Sequence, residues 1–106
     1  MAVAKTPTPP YYAVIFTSTR TDGDKGYAAI AEEVVQLAEK QPGFLGAESV
    51  RDVEKVGITV SYWDSLESIQ KFKAVAKHVE AQKRSREWYS EFGLRVCKVE
   101  KDLFIE

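Results

Sequence analysis

The sequence predicts an α+β domain, a four-stranded antiparallel sheet with two helices on one face, in the order strand, helix, strand, strand, helix, strand. Three observations carry that expectation. Stretches rich in aromatic and β-branched residues alternate with period two at residues 11–20, 44–51, 57–63 and 94–99. Two other stretches repeat apolar residues at spacings of three and four, as a helix with one buried side does. The second and third strands are separated only by Asp52-Val53-Glu54-Lys55-Val56-Gly57, a loop too short for a crossover, so that pair is antiparallel.

Taken in order, residues 1–10 contain Thr-Pro-Thr-Pro-Pro, whose prolines remove amide donors and fix φ, and are expected to form a disordered tail. Residues 11–106 then form a single domain. In the first strand Tyr12, Val14 and Phe16 share one face, and Tyr11, Ala13, Ile15 and Thr17 the other. Thr21-Asp22-Gly23-Asp24 supplies turn and cap chemistry. Tyr27, Ile30, Val34, Leu37 and Ala38 make a helical stripe that ends at Gln41-Pro42-Gly43. After the hairpin, Asp64 stands three residues before Glu67 as a capping pair, ahead of the stripe Leu66, Ile69, Phe72, Ala76 and Val79. The helix or a broken extension of it is expected to reach Trp88-Tyr89. The last strand starts near Leu94.

At 106 residues and 44% hydrophobic content the chain can bury one core. A net charge of -1, with both signs mixed along the chain, provides no electrostatic footprint for nucleic acid. The single cysteine, Cys97, has no internal partner, and no apolar run is long enough to span a bilayer. A cytoplasmic protein with no nucleic-acid or membrane partner is the expectation. Two helices cover one sheet face only; Ile15, Leu45, Ala47, Trp63, Thr17, Ser61 and Arg95 are assigned to the other. That much apolar area calls for a partner, and a homodimer is expected.

Gln41-Pro42-Gly43-Phe44-Leu45-Gly46 leads into Glu48-Ser49-Val50-Arg51-Asp52. Gly57-Ile58-Thr59-Val60-Ser61-Tyr62-Trp63, His78-Val79-Glu80-Ala81-Gln82 and Trp88-Tyr89 follow. On these residues the chain resembles the antibiotic biosynthesis monooxygenase family of the dimeric α/β-barrel superfamily, over about residues 11–101. The resemblance implies a ferredoxin-like βαββαβ protomer that pairs through its open sheet face into a dimeric α/β barrel. It also implies a pocket between sheet and helices in each subunit. Some members of the family oxidise phenols to quinones without metal or flavin, and no cofactor is expected here. A heme-degrading branch relies on Asn, Trp and His; this sequence has no asparagine, and Phe72 stands where that branch has a helical tryptophan.

His78, the only histidine, is the natural proton acceptor near neutrality and the first candidate base, although it lies off the apolar stripe of its helix. Glu48 is the second. Its strand face is shared with Phe44, Gly46 and Val50, where a carboxylate needs a partner, with Arg51 and Arg95 available. Trp63, beside Ser61 and Thr59, has the flat area and hydroxyl neighbours that hold an aromatic substrate. Tyr11, Trp88, Tyr89 and Arg95 complete the expected substrate-binding set. No metal site is expected, and Cys97 reads as a structural thiol. Two functions follow: a cofactor-independent monooxygenase on a small aromatic or phenolic compound, or a non-catalytic dimeric module, stress-related or otherwise, that binds a small hydrophobic ligand or merely assembles.

Overall fold

The computed structural model describes residues 3–76 and 85–105. Its elements are β1 (Tyr11–Arg20), α1 (Tyr27–Glu39), β2 (Phe44–Arg51), β3 (Val56–Trp63), α2 (Leu66–Ala76), α3 (Ser85–Trp88) and β4 (Tyr89–Val99). The strands form one antiparallel sheet in the order β2-β3-β1-β4. This is the expected ferredoxin-like plan. Among the described residues no helix is long and apolar enough to cross a membrane.

Two local expectations change. β4 begins at Tyr89, well before Leu94, and pairs along the whole of β1 from Tyr11↔Val99 to Arg20↔Tyr89. Ser90, Glu91 and Gly93 have poor strand propensity, but the ladder with β1 overrides it. The cap of α2 is Ser65, whose Oγ accepts the Ser68 amide at 3.1 Å; Asp64 instead accepts the Ser68 hydroxyl at 2.7 Å. Directly before β2, Gly43 has φ 90°, and a Cβ there would collide with Ser68 and Asp64, so the turn between α1 and β2 requires glycine.

Residues opposite one another in an antiparallel ladder point to the same side, so the register assigns the two faces. The helix side carries Tyr12, Val14, Phe16 and Ser18 of β1 with Gly57, Thr59, Ser61 and Trp63 of β3. It also carries Phe44, Ala47, Ser49 and Arg51 of β2 with Phe92, Leu94, Val96 and Lys98 of β4. The open side carries Tyr11, Ala13, Ile15, Thr17, Val60, Tyr62, Glu48, Arg95 and Cys97. Ile15, Thr17 and Arg95 therefore lie on the uncovered face as expected. Trp63, Ser61 and Ala47 do not: they lie under the helices. Both sides of β3 are bulky, so its pattern alone does not fix its parity; the pairing Tyr12↔Trp63 does. A bulge at Leu45 also reverses the parity of Phe44, which leaves the Glu48 face and joins the helix side.

Two aromatic groups anchor the helix side. At one end Trp63, 1% exposed, stacks on Phe72 of α2 at 5.2 Å and meets the edge of Phe44 at 5.3 Å. At the other, Phe16, Tyr27, Trp88, Tyr89 and Phe92 pack with ring separations of 5.3 to 6.0 Å. Full burial of one large aromatic side chain contributes roughly 3 kcal/mol, so these groups are the main fastening of helices to sheet. On the open side, residues 3–10 have no regular structure, and the Ala4 amide donates to Glu48 Oε2 at 3.2 Å.

Candidate functional site

α1 joins the two aromatic groups. Its first residue, Tyr27, packs on Trp88 and Tyr89, and its last turn, with Ala38 buried, leads through Gln41-Pro42-Gly43 to Phe44. Along the helix Ile30, Val34 and Leu37 are half-buried on the same stripe as Ala38. The strand rows between the aromatic groups run Ala47–Ser61–Val14–Val96 and Ser49–Thr59–Phe16–Leu94. A filled core would bury them. Instead Ala47, Ser49, Thr59, Leu94 and Val96 are exposed, and Ser61, Val14 and Phe16 only half-buried. These exposures leave an aliphatic and hydroxyl floor open beside α1, with an aromatic wall at each end, and this shallow floor is the cleft. Two other hollows lie mainly on the opposite sheet face, around Glu48, Val50, Ile58 and Val60 and around Thr17, Thr19, Gly93 and Arg95.

Trp63 and Trp88 are parts of those walls rather than free stacking surfaces. The Trp63 indole donates to Ser61 Oγ at 2.9 Å, and that of Trp88 to the Lys25 carbonyl at 3.0 Å. Ser61 thereby accepts one hydrogen bond and keeps its own hydroxyl proton for the cleft. Tyr89 stands at the far end, half-buried. Burial, and then the Tyr27 hydroxyl beside it, push its phenol above the ordinary tyrosine range, against the opposing pull of Arg51 and Arg20.

Those arginines are the part of the cleft that sequence reasoning missed. Arg20 lies over the Tyr27 ring at 3.8 Å, donating from Nη1 to the Trp88 carbonyl at 2.7 Å and from Nη2 to the Gly23 carbonyl at 3.1 Å. Arg51 reaches across Gly57 to Ser18, giving 2.7 Å from Nη2 to Oγ and 3.2 Å from Nη1 to the carbonyl; its Nη1 also donates to the Lys55 carbonyl. The available signal was strand parity: Arg20 lies four residues after Phe16 on an alternating strand.

The remaining candidates are on the other side of the sheet. Glu48 Oε1 accepts the Tyr62 hydroxyl at 2.6 Å, so its partners are Tyr62 and the Ala4 amide, not Arg51 or Arg95. Arg51 is occupied on the helix side. Arg95 is exposed and has two strands between it and Glu48 in the row Glu48–Val60–Ile15–Arg95. Burial first, and then the Glu48 carboxylate, raise the Tyr62 phenol to about 12. Tyr11, 3% exposed, crosses the Tyr62 ring at 5.9 Å and donates to Asp102 at 2.6 Å; burial and that carboxylate raise its pKa too. The structure thus brings Ser61, Trp63, Trp88 and Tyr89 to the helix side and separates them from Glu48, Tyr11 and Arg95. His78 lies outside the described residues. Among the described residues no cluster of His, Cys, Asp and Glu is placed to hold a metal.

A family model described as antibiotic biosynthesis monooxygenase matches residues 10–84. An uncharacterised protein of Bacillus subtilis strain 168, YqjZ, is 49% identical over 100 residues, covering 93% of this chain and 88% of the relative. Among solved structures, SnoaB, a cofactor-independent oxygenase from Streptomyces nogalater, matches 90% of this chain and 98% of its own with a TM-score of 0.75 at 10% identity. PA3566 from Pseudomonas aeruginosa matches 92% and 99% with a TM-score of 0.70 at 9% identity. At such identities the structural likeness shows the fold.

Proposed function

The chain belongs to the antibiotic biosynthesis monooxygenase family, and on that premise we propose that it oxidises a flat phenolic compound with molecular oxygen in the cleft beside α1. The observation that carries this reading is the exposed floor. A sheet face crossed by an amphipathic helix is normally filled, whereas here Thr59, Ser49, Leu94 and Val96 stay open between two aromatic walls. In the proposed reaction an activated methylene flanked by phenolic rings becomes a carbonyl: R₂CH₂ + O₂ → R₂C=O + H₂O. The deprotonated substrate supplies all the electrons, so the protein needs only to bind, orient, exclude water and accept a proton. Ser61 would orient a substrate oxygen with its free hydroxyl proton, and His78 would be the base. Glu48, across the sheet, has no part in this cleft.

Oxygen uptake with an anthrone tests the proposal against its spontaneous oxidation. A general base contributes typically ~10²–10⁴ in rate, so His78→Ala should lower the catalysed uptake at least about tenfold with an unchanged melting curve. Uptake no faster than the uncatalysed reaction with any phenol would sink the enzyme reading. The alternative is a non-catalytic dimeric module that binds the same kind of molecule. It is favoured by one observation, that the described polar residues of the cleft form no acid–base pair, and it predicts phenol binding without uptake.

A further inference from the structure

We propose that the cleft takes an acidic aromatic ligand, with a carboxylate held at the Arg20, Arg51 and Tyr89 end and the ring system lying on the floor toward Ser61. The proposal rests on the reading of this cleft as the ligand site and adds the class of ligand.

Two guanidiniums from non-adjacent strands converge here. Arg20 ends β1 and Arg51 ends β2, with β3 between β2 and β1. Arg51 reaches over because Gly57 leaves the space: a Cβ at Gly57 would stand 2.5 Å from the guanidinium carbon. It stops at Ser18, which is 2% exposed. Arg20 is held from the other side by the Trp88 and Gly23 carbonyls and the Tyr27 ring.

Every one of these partners is neutral. Among the described residues the ion pairs are Lys55–Asp22 and Lys71–Glu67, and neither arginine meets a carboxylate. Carbonyl contacts orient the guanidiniums but leave two positive charges, both acting on Tyr89, in a part-buried aromatic setting, where an unpaired charge is costly. Donors also remain. Of the five N–H groups on each guanidinium, Arg51 commits three and Arg20 two to the bonds described above. Tyr89 lies in the field of both, with its own hydroxyl engaged by Tyr27. A planar array of such donors matches a carboxylate better than any neutral oxygen. The adjoining floor, Phe16, Phe92 and Leu94, is apolar, with Phe92 52% and Leu94 59% exposed, as a flat ring system requires.

The test compares 2-naphthoate with 2-naphthamide, which have the same shape and differ in charge, by calorimetric titration under nitrogen. Wild-type protein should bind the acid about tenfold or more tightly, the scale of one charge-assisted hydrogen bond. Arg20→Gln should remove most of that preference while leaving the amide affinity unchanged. Arg51 also ties β1 to the hairpin, so Arg20→Lys, which keeps the charge but loses the planar fork, is the second variant and should weaken the acid alone. Equal wild-type affinities, no binding of either probe, or a preference that survives both variants would overturn the proposal. Because oxygen is absent, the two readings fail separately. Selective acid binding without oxygen uptake in the parallel assay would refute the monooxygenase and keep this ligand class; uptake with a neutral anthrone and no acid preference would do the reverse.

Discussion

Single residues here act mostly through partners on other strands, which explains why their roles were hard to read from the sequence. Gly57 shows this most directly: nothing local demands glycine, yet the Arg51 guanidinium occupies the place of its missing side chain. Gly57→Ala should therefore displace that guanidinium and lower stability by about 1–3 kcal/mol, the scale of overpacking a filled site, measured by urea unfolding. An unchanged midpoint would mean that Arg51 rests elsewhere. Tyr62 gives a pH test. Its phenol pKa, near 10 when unfolded, is raised to about 12 in the folded protein. The fold thus favours the protonated, donating form, and its contribution is complete below pH 10 and lost as pH rises through 12. Tyr62→Phe should cost stability at neutral pH and flatten the decline between pH 10 and 12 in a urea series; Tyr11 and Tyr89, also raised, will leave a residual slope. Equal slopes for both proteins would refute the Tyr62–Glu48 bond.

Among the elements, those written in local pattern were legible and those fixed by a neighbour were not. The alternation in residues 11–20, the Tyr27 to Ala38 stripe and the hairpin between β2 and β3 are local, and each stands where it was expected. The start of β4 depends on β1, and the parity of β3 on its register, so both were misplaced. The consequence for the site was large: one step of parity moved Trp63 and Ser61 from the presumed open face to the cleft wall and floor. The cap of α2 was misplaced by a single residue, Asp64 for Ser65, because both are good capping types and Glu67 suggested a box with Asp64. The two assignments separate experimentally. Ser65→Ala should destabilise by about 1 kcal/mol through the lost Ser68 amide bond, and Asp64→Ala by less, since it removes only a bond to the Ser68 hydroxyl. The reverse order of thermal midpoints would return the cap to Asp64.

At the scale of the whole molecule the open sheet face remains to be covered. Val50 at 61%, Ile58 at 43% and Val56 at 42% exposure form an apolar edge to this face, beside half-buried Val60 and Ile15. Beyond Asp102, which Tyr11 holds, Leu103 and Ile105 are 84% and 89% exposed. The described tail covers only the Glu48 and Tyr11 end, where Ala4 and Asp102 are bound. Isolated exposed aliphatics need no explanation, but a continuous patch on a sheet does. We infer a two-fold dimer formed by mutual packing of this face. A standard interface takes about 800 Å² from each partner, roughly a tenth of the 7331 Å² surface of the chain. Ile58→Lys tests this at a position already exposed in the protomer, where lysine costs the monomer little, usually within about 0.5 kcal/mol. Inside a two-fold interface the same lysine would be buried without a partner, and symmetry would introduce it twice. Sedimentation of wild-type protein at micromolar concentration should give twice the mass of one chain, and Ile58→Lys should give one chain with an unchanged circular dichroism spectrum. A wild-type monomer would refute the dimer; a variant that remains dimeric would place the interface on another surface, with the exposed Phe92, Leu94 and Val96 edge of β4 the next to examine.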